Sequence, residues 1–343
     1  MDMAERKSGT SEMHCSRAKS RPAINALNGM KVVEVAQSGS ADIATIAACF
    51  AGLLASQYGA QVTRVELATE ATTHGRMSRN GAGSALYNFL NRSKTIVTEL
   101  PQANDAILIT AMPDMVERWP SQASVLIRPG QLDMGTRHSE LTVQATSGLL
   151  DVLKGHNGRF VALPGNQMAY ASGMAAFNAL VATQLVRYSG KPLQRSTVNI
   201  VDVACWINWK GCLSTRGENH QPQEWITVRC ADGFITLVYQ DKHVPLLGEL
   251  TGNDFFFQTS LKRRTERRLH LAQFRKEIQS WAQRRSRAEI FAAARRLRIP
   301  IGPVLNLEEL ANDEQFEFRD FLVADGCRTY PRLPLVARRA ESP

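Results

Sequence analysis

The sequence predicts an α/β protein with a large Rossmann-like domain built on a parallel sheet, followed by a smaller α+β domain. Three observations lead there. Residues 30–35, 41–58 and 59–66 read as strand, helix and strand in succession. A second helix–strand unit spans 172–203. After Cys212 the texture changes to a polar linker, a hairpin pattern and basic amphipathic segments.

The opening helix shows apolar spacing at Ile43, Ile46, Phe50, Leu53 and Leu54, and Gly59 closes it before GAQVTRVE returns as a strand. Strands joined in this way run parallel, and the right-handed crossover they take makes a doubly wound sheet the expected architecture. No G-x-G-x-x-G follows the first strand, so a dinucleotide cofactor is not indicated. Further strands are expected over 95–100, 106–110 and 124–128. A helix over 172–188 carries Met174, Phe177, Val181, Leu185 and Tyr188 on one face, ends at Gly190, and leads into a strand over 196–203. In the second domain Asp232 and Gly233 are expected to turn ITVRC back on FITLVY. Amphipathic basic helices are expected over 261–298. The resulting division is a loose tail (1–25), the large domain (26–213), a linker (214–223), the small domain (224–325) and a C-terminal segment (326–343).

With 343 residues, 44% hydrophobic and 21% charged, the chain can bury a substantial core and has the composition of an ordinary soluble enzyme. The first 24 residues hold no apolar run of signal-peptide length. Residues 43–63 lack charge, but Ser56, Gln57, Tyr58, Gly59 and Gln61 mark a helix passing into a strand rather than a membrane span. A cytoplasmic location is expected. The six cysteines form no C-x-x-C pair and no ligand spacing with the seven histidines, so reduced thiols and no metal site are expected. The net charge of +9 is local: residues 262–298 hold 13 Lys and Arg against three Glu, and the rest of the chain is near neutral. Phe274, Trp281 and Phe291 lie among these charges at spacings that suit core packing as well as base stacking. A solvated face is preferred to nucleic-acid binding.

Several segments, in order, resemble family III of the CoA-transferases, the CaiB/BaiF type that includes formyl-CoA transferase, carnitine CoA-transferase and α-methylacyl-CoA racemase. They are LNGMKVVEV, FAGLLASQYGAQVTRVE, NRSKTIVTEL and SGKPLQRSTVNIVDV in the large domain, and VRCADGFITL, RIPIGPVLNLEEL and NDEQFEFRDFLV in the small one. The resemblance implies the family's architecture, a coenzyme A ester as substrate or ligand with no permanently bound cofactor, and a small carboxylic acid as co-substrate. It also implies an interlocked dimer, formed with a second copy or with an intact homologue. By the same resemblance Gln37, in the loop after the first strand, and the cations Lys94 and Arg118 are candidates for binding CoA. Residues 38–45 look like an insertion, and Ala48-Cys49 stand where the family shows Gly-Pro, beside the ligand. Relatives continue beyond the small domain with a segment that returns to the large one, whereas the segment expected here is shorter.

In transferases of this family an aspartate attacks the acyl-CoA; in racemases it moves a proton. Here the family's D-x-x-x-G reads Ala169, Tyr170, Ala171, Ser172, Gly173, and no Asp or Glu occurs between Asp151 and Asp202. The standard covalent mechanism is therefore not expected. Weak substitutes are His156, with Lys154 in the same loop, as a base, and Tyr170 as a donor to a thioester oxygen. Against these stand simpler readings: a polar loop, aromatic packing, and Ser172 as a helix cap. Asn166 and Gln167 could contact an oxyanion or simply form a turn. Cys205 and Cys212 read as core thiols. The expected function is CoA transfer between an acyl-CoA and a carboxylic acid, without an aspartyl nucleophile at 169. The alternative is a non-catalytic CoA-ester-binding homologue or a partner subunit of an intact transferase.

Overall fold

The computed structural model describes residues 25–37, 42–67, 85–102, 105–130, 138–153, 158–192, 195–209, 225–325 and 328–334. The chain divides into two units, Met1–Thr215 with Val323–Pro343, and Arg216–Leu322.

In the first unit β1 (Lys31–Gln37), β2 (Gln61–Leu67), β3 (Thr95–Val97), β4 (Ile107–Thr110), β5 (Ser124–Arg128) and β6 (Arg195–Asn199) form one sheet in the order β3-β2-β1-β4-β5-β6. Every pairing is parallel. The chain works outward from β1 to one edge and then outward from β4 to the other, which leaves a switch point between β1 and β4. Side-chain alternation sorts the faces. Val32, Val62, Ile107, Ile109, Val125 and Ile127 share a core with α1 (Ile43–Gln57) and α6 (Gln167–Tyr188). Val33, Val35, Val65 and Leu108 pack on the other side against Met115, Val116 and Trp119, at and just beyond α3 (Pro113–Arg118). The remaining helices of this unit are α2 (Ala85–Asn91), α4 (Glu140–Thr146), α5 (Leu149–Val152) and α7 (Ile200–Ile207).

The Asp42 carboxylate caps α1 by accepting the N–H groups of Ala44 and Thr45, both at 3.0 Å. α1 and α6 approach closely at Gly173, where a Cβ would lie 2.7 Å from the Ala47 carbonyl oxygen and 3.0 Å from Phe50. That contact accounts for the glycine of the motif by packing alone.

The structure corrects several expectations. The helix expected from 172 begins at Gln167, so Ser172 is an interior residue and not a cap. The strand expected to run to 203 stops at Asn199, where α7 takes over. Ala48 and Cys49 are fully buried within α1 and do not line a loop.

In the second unit β7 (Trp225–Cys230), β8 (Gly233–Val238) and β9 (Ile301–Val304) make an antiparallel sheet. Its turn falls on Ala231 and Asp232, one residue earlier than expected, with Gly233 opening β8 opposite Cys230. Ile226, Val228, Ile235 and Leu237 pack against the helices Leu271–Ala282 and Arg287–Arg296. Phe274 and Trp281 are buried in this core, so two of the three aromatics of the basic segment are packing groups. Arg267 is buried as well: it donates to the Leu261 carbonyl at 2.8 Å and to Asp241 at 2.7 Å, and lies over the Tyr239 ring.

The strands Leu322–Asp325 and Arg328–Pro331 pair with one another. Arg92 donates to the Pro331 carbonyl at 2.8 Å, and its guanidinium sits 5.0 Å from the Phe89 ring centre and 4.9 Å from that of Tyr330. Arg328–Pro331 thus packs beside the end of α2 in the first unit.

Candidate active site

Ala169 is the third residue of α6 and has no exposed surface. A helix start leaves several N–H groups without partners inside the helix, and the N-cap of α6, Asn166, offers no side-chain bond. Glu140, at the first position of α4, supplies what is missing. The Met168 N–H donates to Glu140 Oε2 at 3.0 Å, and the Ala169 N–H donates to Oε1 at 2.9 Å. α4 is fixed by a reciprocal cap between Ser139 and Thr142. One turn on from Glu140, Gln144 accepts the Leu163 N–H at 2.8 Å and donates to the Leu163 carbonyl at 3.3 Å. α4 therefore holds both the segment leading into α6 and its first turn.

A carboxylate consequently stands on the backbone of residue 169, although the sequence around that residue has none. Sequence reasoning missed Glu140 because it lies 29 positions upstream; the one local signal was an acid directly after a serine at a helix start. Ser172 lies one turn along α6 on the same face as Ala169. It is fully buried, and its hydroxyl has no hydrogen-bond partner among the described residues. Tyr170 packs on Phe50, ring centres 4.9 Å apart, as expected for an aromatic near a helix start. His156 and Lys154 lie outside the described residues, as does Cys212.

A second polar cluster lies under α1. Alternation along β1 turns Glu34 to the same side as Val32, into the core, and the parallel register sets Arg64 of β2 beside it. Lys94 donates to Glu34 Oε2 at 2.7 Å and to the Cys49 carbonyl at 2.8 Å. Arg64 pairs with the other Glu34 oxygen, and its Nε donates to Glu66 at 2.8 Å. The Tyr87 hydroxyl donates to the same Glu66 oxygen at 3.0 Å. Gly52 makes the room, since a Cβ there would lie 2.1 Å from Glu34 Oε2. Burial alone would raise the Glu34 carboxyl, but Lys94 and Arg64 outweigh it and hold it below the usual carboxylate range. Burial pushes the Cys49 thiol up to about 12, so it is no nucleophile.

Of the residues expected to bind CoA, Lys94 thus has a side chain with no exposed surface, committed to Glu34. Gln37 is the last residue of β1, not part of the following loop. Arg118 is exposed at the end of α3, the helix after β4. Among the described residues no group of His, Cys, Asp and Glu could hold a metal ion, and no helix is long and apolar enough to cross a membrane.

Fold and site together define a doubly wound α/β protein with a second, mainly antiparallel unit inserted before its last strands. Residues 136–339, more than half of the chain, match the sequence profile of CoA-transferase family III, and the chain belongs to that family. Among solved structures it is similar to a CaiB/BaiF family protein from Brucella suis, with 16% identity and a TM-score of 0.75 over 92% of this chain and 93% of that one. It is also similar to a hypothetical protein from Mycobacterium tuberculosis, with 20% identity and a TM-score of 0.70 over 94% of each chain. At these identities the likeness is one of fold. No curated protein sequence matches the chain.

Proposed function

We propose that this chain binds coenzyme A esters and transfers CoA between an acyl-CoA and a carboxylic acid, in the cytoplasm, as a dimer. The observation that supports this best is the switch point. Gln37 ends β1 next to β4, at the carboxyl edge where doubly wound sheets take their ligands, and family III CoA-transferases use acyl-CoA substrates. CoA requires cations for its phosphates and an apolar groove for its pantetheine arm. Arg118 is the better candidate cation, because Lys94 is committed to Glu34. CoA acts as substrate, and no resident cofactor is invoked. In this reading Ala169 stands where the family's aspartate would be, so no covalent step runs through residue 169.

The buried methyl group of Ala169 favours a second reading. In it the chain binds CoA esters without turning them over, or serves as the partner subunit of an intact transferase. Calorimetric titration with CoA and acetyl-CoA, together with transfer from acetyl-CoA to a panel of carboxylates, separates the two. Binding with transfer by the wild type supports the first. Binding with transfer only in Ala169→Asp supports the second. Absence of binding removes the first and the CoA-binding form of the second.

A further inference from the structure

We infer that Glu140 is the covalent nucleophile of this chain, taking over on α4 the role that residue 169 cannot perform. The inference rests on the transferase reading above. Three observations converge on it. First, the Glu140 carboxylate is already seated at residue 169, with its two oxygens 2.9 and 3.0 Å from the N–H groups of Ala169 and Met168. A carboxylate so placed lies within one short side chain of where an acid on residue 169 would put its own. Second, Glu140 is half-buried whereas Ala169 has no exposed surface, so a substrate can reach the glutamate and not the alanine. Third, one turn along α6 from Ala169, Ser172 buries a hydroxyl with no hydrogen-bond partner among the described residues.

The two N–H bonds do not exhaust the carboxylate, which has about four acceptor sites. One oxygen attacks the thioester carbonyl carbon of the acyl-CoA. The new C–O bond forms, the C–S bond breaks, and CoA thiolate leaves an acyl-glutamyl anhydride behind. The thiolate then attacks Cδ of Glu140, forming a C–S bond and releasing the donor carboxylate, to give a glutamyl-CoA thioester. The acceptor carboxylate reverses the sequence. It displaces the thiolate from Cδ, and the thiolate takes the acceptor acyl group from the second anhydride and restores the Glu140 carboxylate. No electrons or protons are gained or lost. In each attack on Cδ the negative charge collects on the glutamyl oxygen that faces the first turn of α6. Each oxygen has one donor, the Met168 N–H on Oε2 and the Ala169 N–H on Oε1, at the positive end of a 22-residue helix, so whichever oxygen stays on Cδ keeps one N–H bond.

The test uses the full chain. Wild type, Glu140→Gln and Glu140→Asp are incubated with acetyl-CoA and quenched with hydroxylamine, and the peptides are read by mass spectrometry. Binding of CoA is measured on the same samples by calorimetry, and circular dichroism checks that each variant is folded. The expected result is a hydroxamate on Glu140 of the wild type. It should fall at least a hundredfold in Glu140→Gln, with CoA binding retained. Glu140→Asp, which keeps the charge but shortens the reach, should give an intermediate yield on residue 140. Binding without any adduct, an adduct on another residue, or an undiminished yield in folded Glu140→Gln would overturn the assignment while leaving CoA binding intact. Loss of binding in the wild type itself would instead remove the transferase reading, and the assignment with it.

Discussion

Replacing Lys94 by alanine separates two roles for one residue. Its ammonium donates to a carboxylate and a carbonyl, and both it and the Glu34 side chain have no exposed surface. Removing one partner of a buried pair costs about 3–5 kcal/mol, because the remaining charge stays dehydrated. Arg64 still pairs with Glu34 in the variant, so the lower end, about 3 kcal/mol, is expected. For a unit of this size each kcal/mol shifts Tm by roughly 2–4 °C, so the first unit should melt about 6–12 °C lower. Thermal and urea unfolding followed by circular dichroism would measure this. Arg118→Ala is the control: its exposed side chain predicts a change within about 0.5 kcal/mol, with the loss falling on CoA binding instead. A Lys94→Ala protein less than about 1 kcal/mol weaker than wild type that no longer bound CoA would refute this assignment, and would return Lys94 to the ligand site.

Gly173→Val would force α1 and α6 apart at the Ala47 carbonyl and should cost about 1–3 kcal/mol, read from urea midpoints. Arg267→Met should lower the stability of the second unit by about 1.5–3 kcal/mol through its bond to Asp241, again measured by denaturant unfolding. Glu309 is held down to about 2, chiefly by its hydrogen bonds with Arg287. Because the folded value lies below the unfolded one, its contribution is complete above about pH 4.5 and is lost as pH falls towards about 2. Glu309→Gln should flatten that part of the acid-unfolding curve of the second unit. The first unit should show the same sign of acid dependence through Glu34, and Glu34→Gln should reduce it.

Much of the architecture was legible because local periodicity and tertiary structure agree. The β1-α1-β2 opening and the β7-β8 hairpin need only alternation, helical spacing and a turn. The misses occur where a distant contact decides. The start of α6 could not be read, because its cap is Glu140, brought in from α4 rather than offered by Asn166. Ser172 looked like a helix opener for the same reason. The β6–α7 boundary failed because the apolar run through Val198, Ile200 and Val201 suits either element, and burial of Ile200 and Ala204 selects the helix. At the candidate site, an acid-free sequence between 151 and 202 does not mean an acid-free place. Lys94 could be recognised as a motif lysine, but its engagement depends on Glu34, 60 residues away.

The Glu34, Arg64 and Lys94 cluster also acts on alignment. Three stretches of chain, on β1, on β2 and just ahead of β3, must meet with their charges in phase. A slip of one residue in the β1–β2 pairing would turn Glu34 or Arg64 to the opposite face of the sheet. There it would meet the apolar Leu108, Met115 and Trp119 in place of its partner charges. An apolar core tolerates near-misses, since one methyl group resembles another. This trio does not, so it works as a key that admits one register and leaves an unpaired ion in its neighbours.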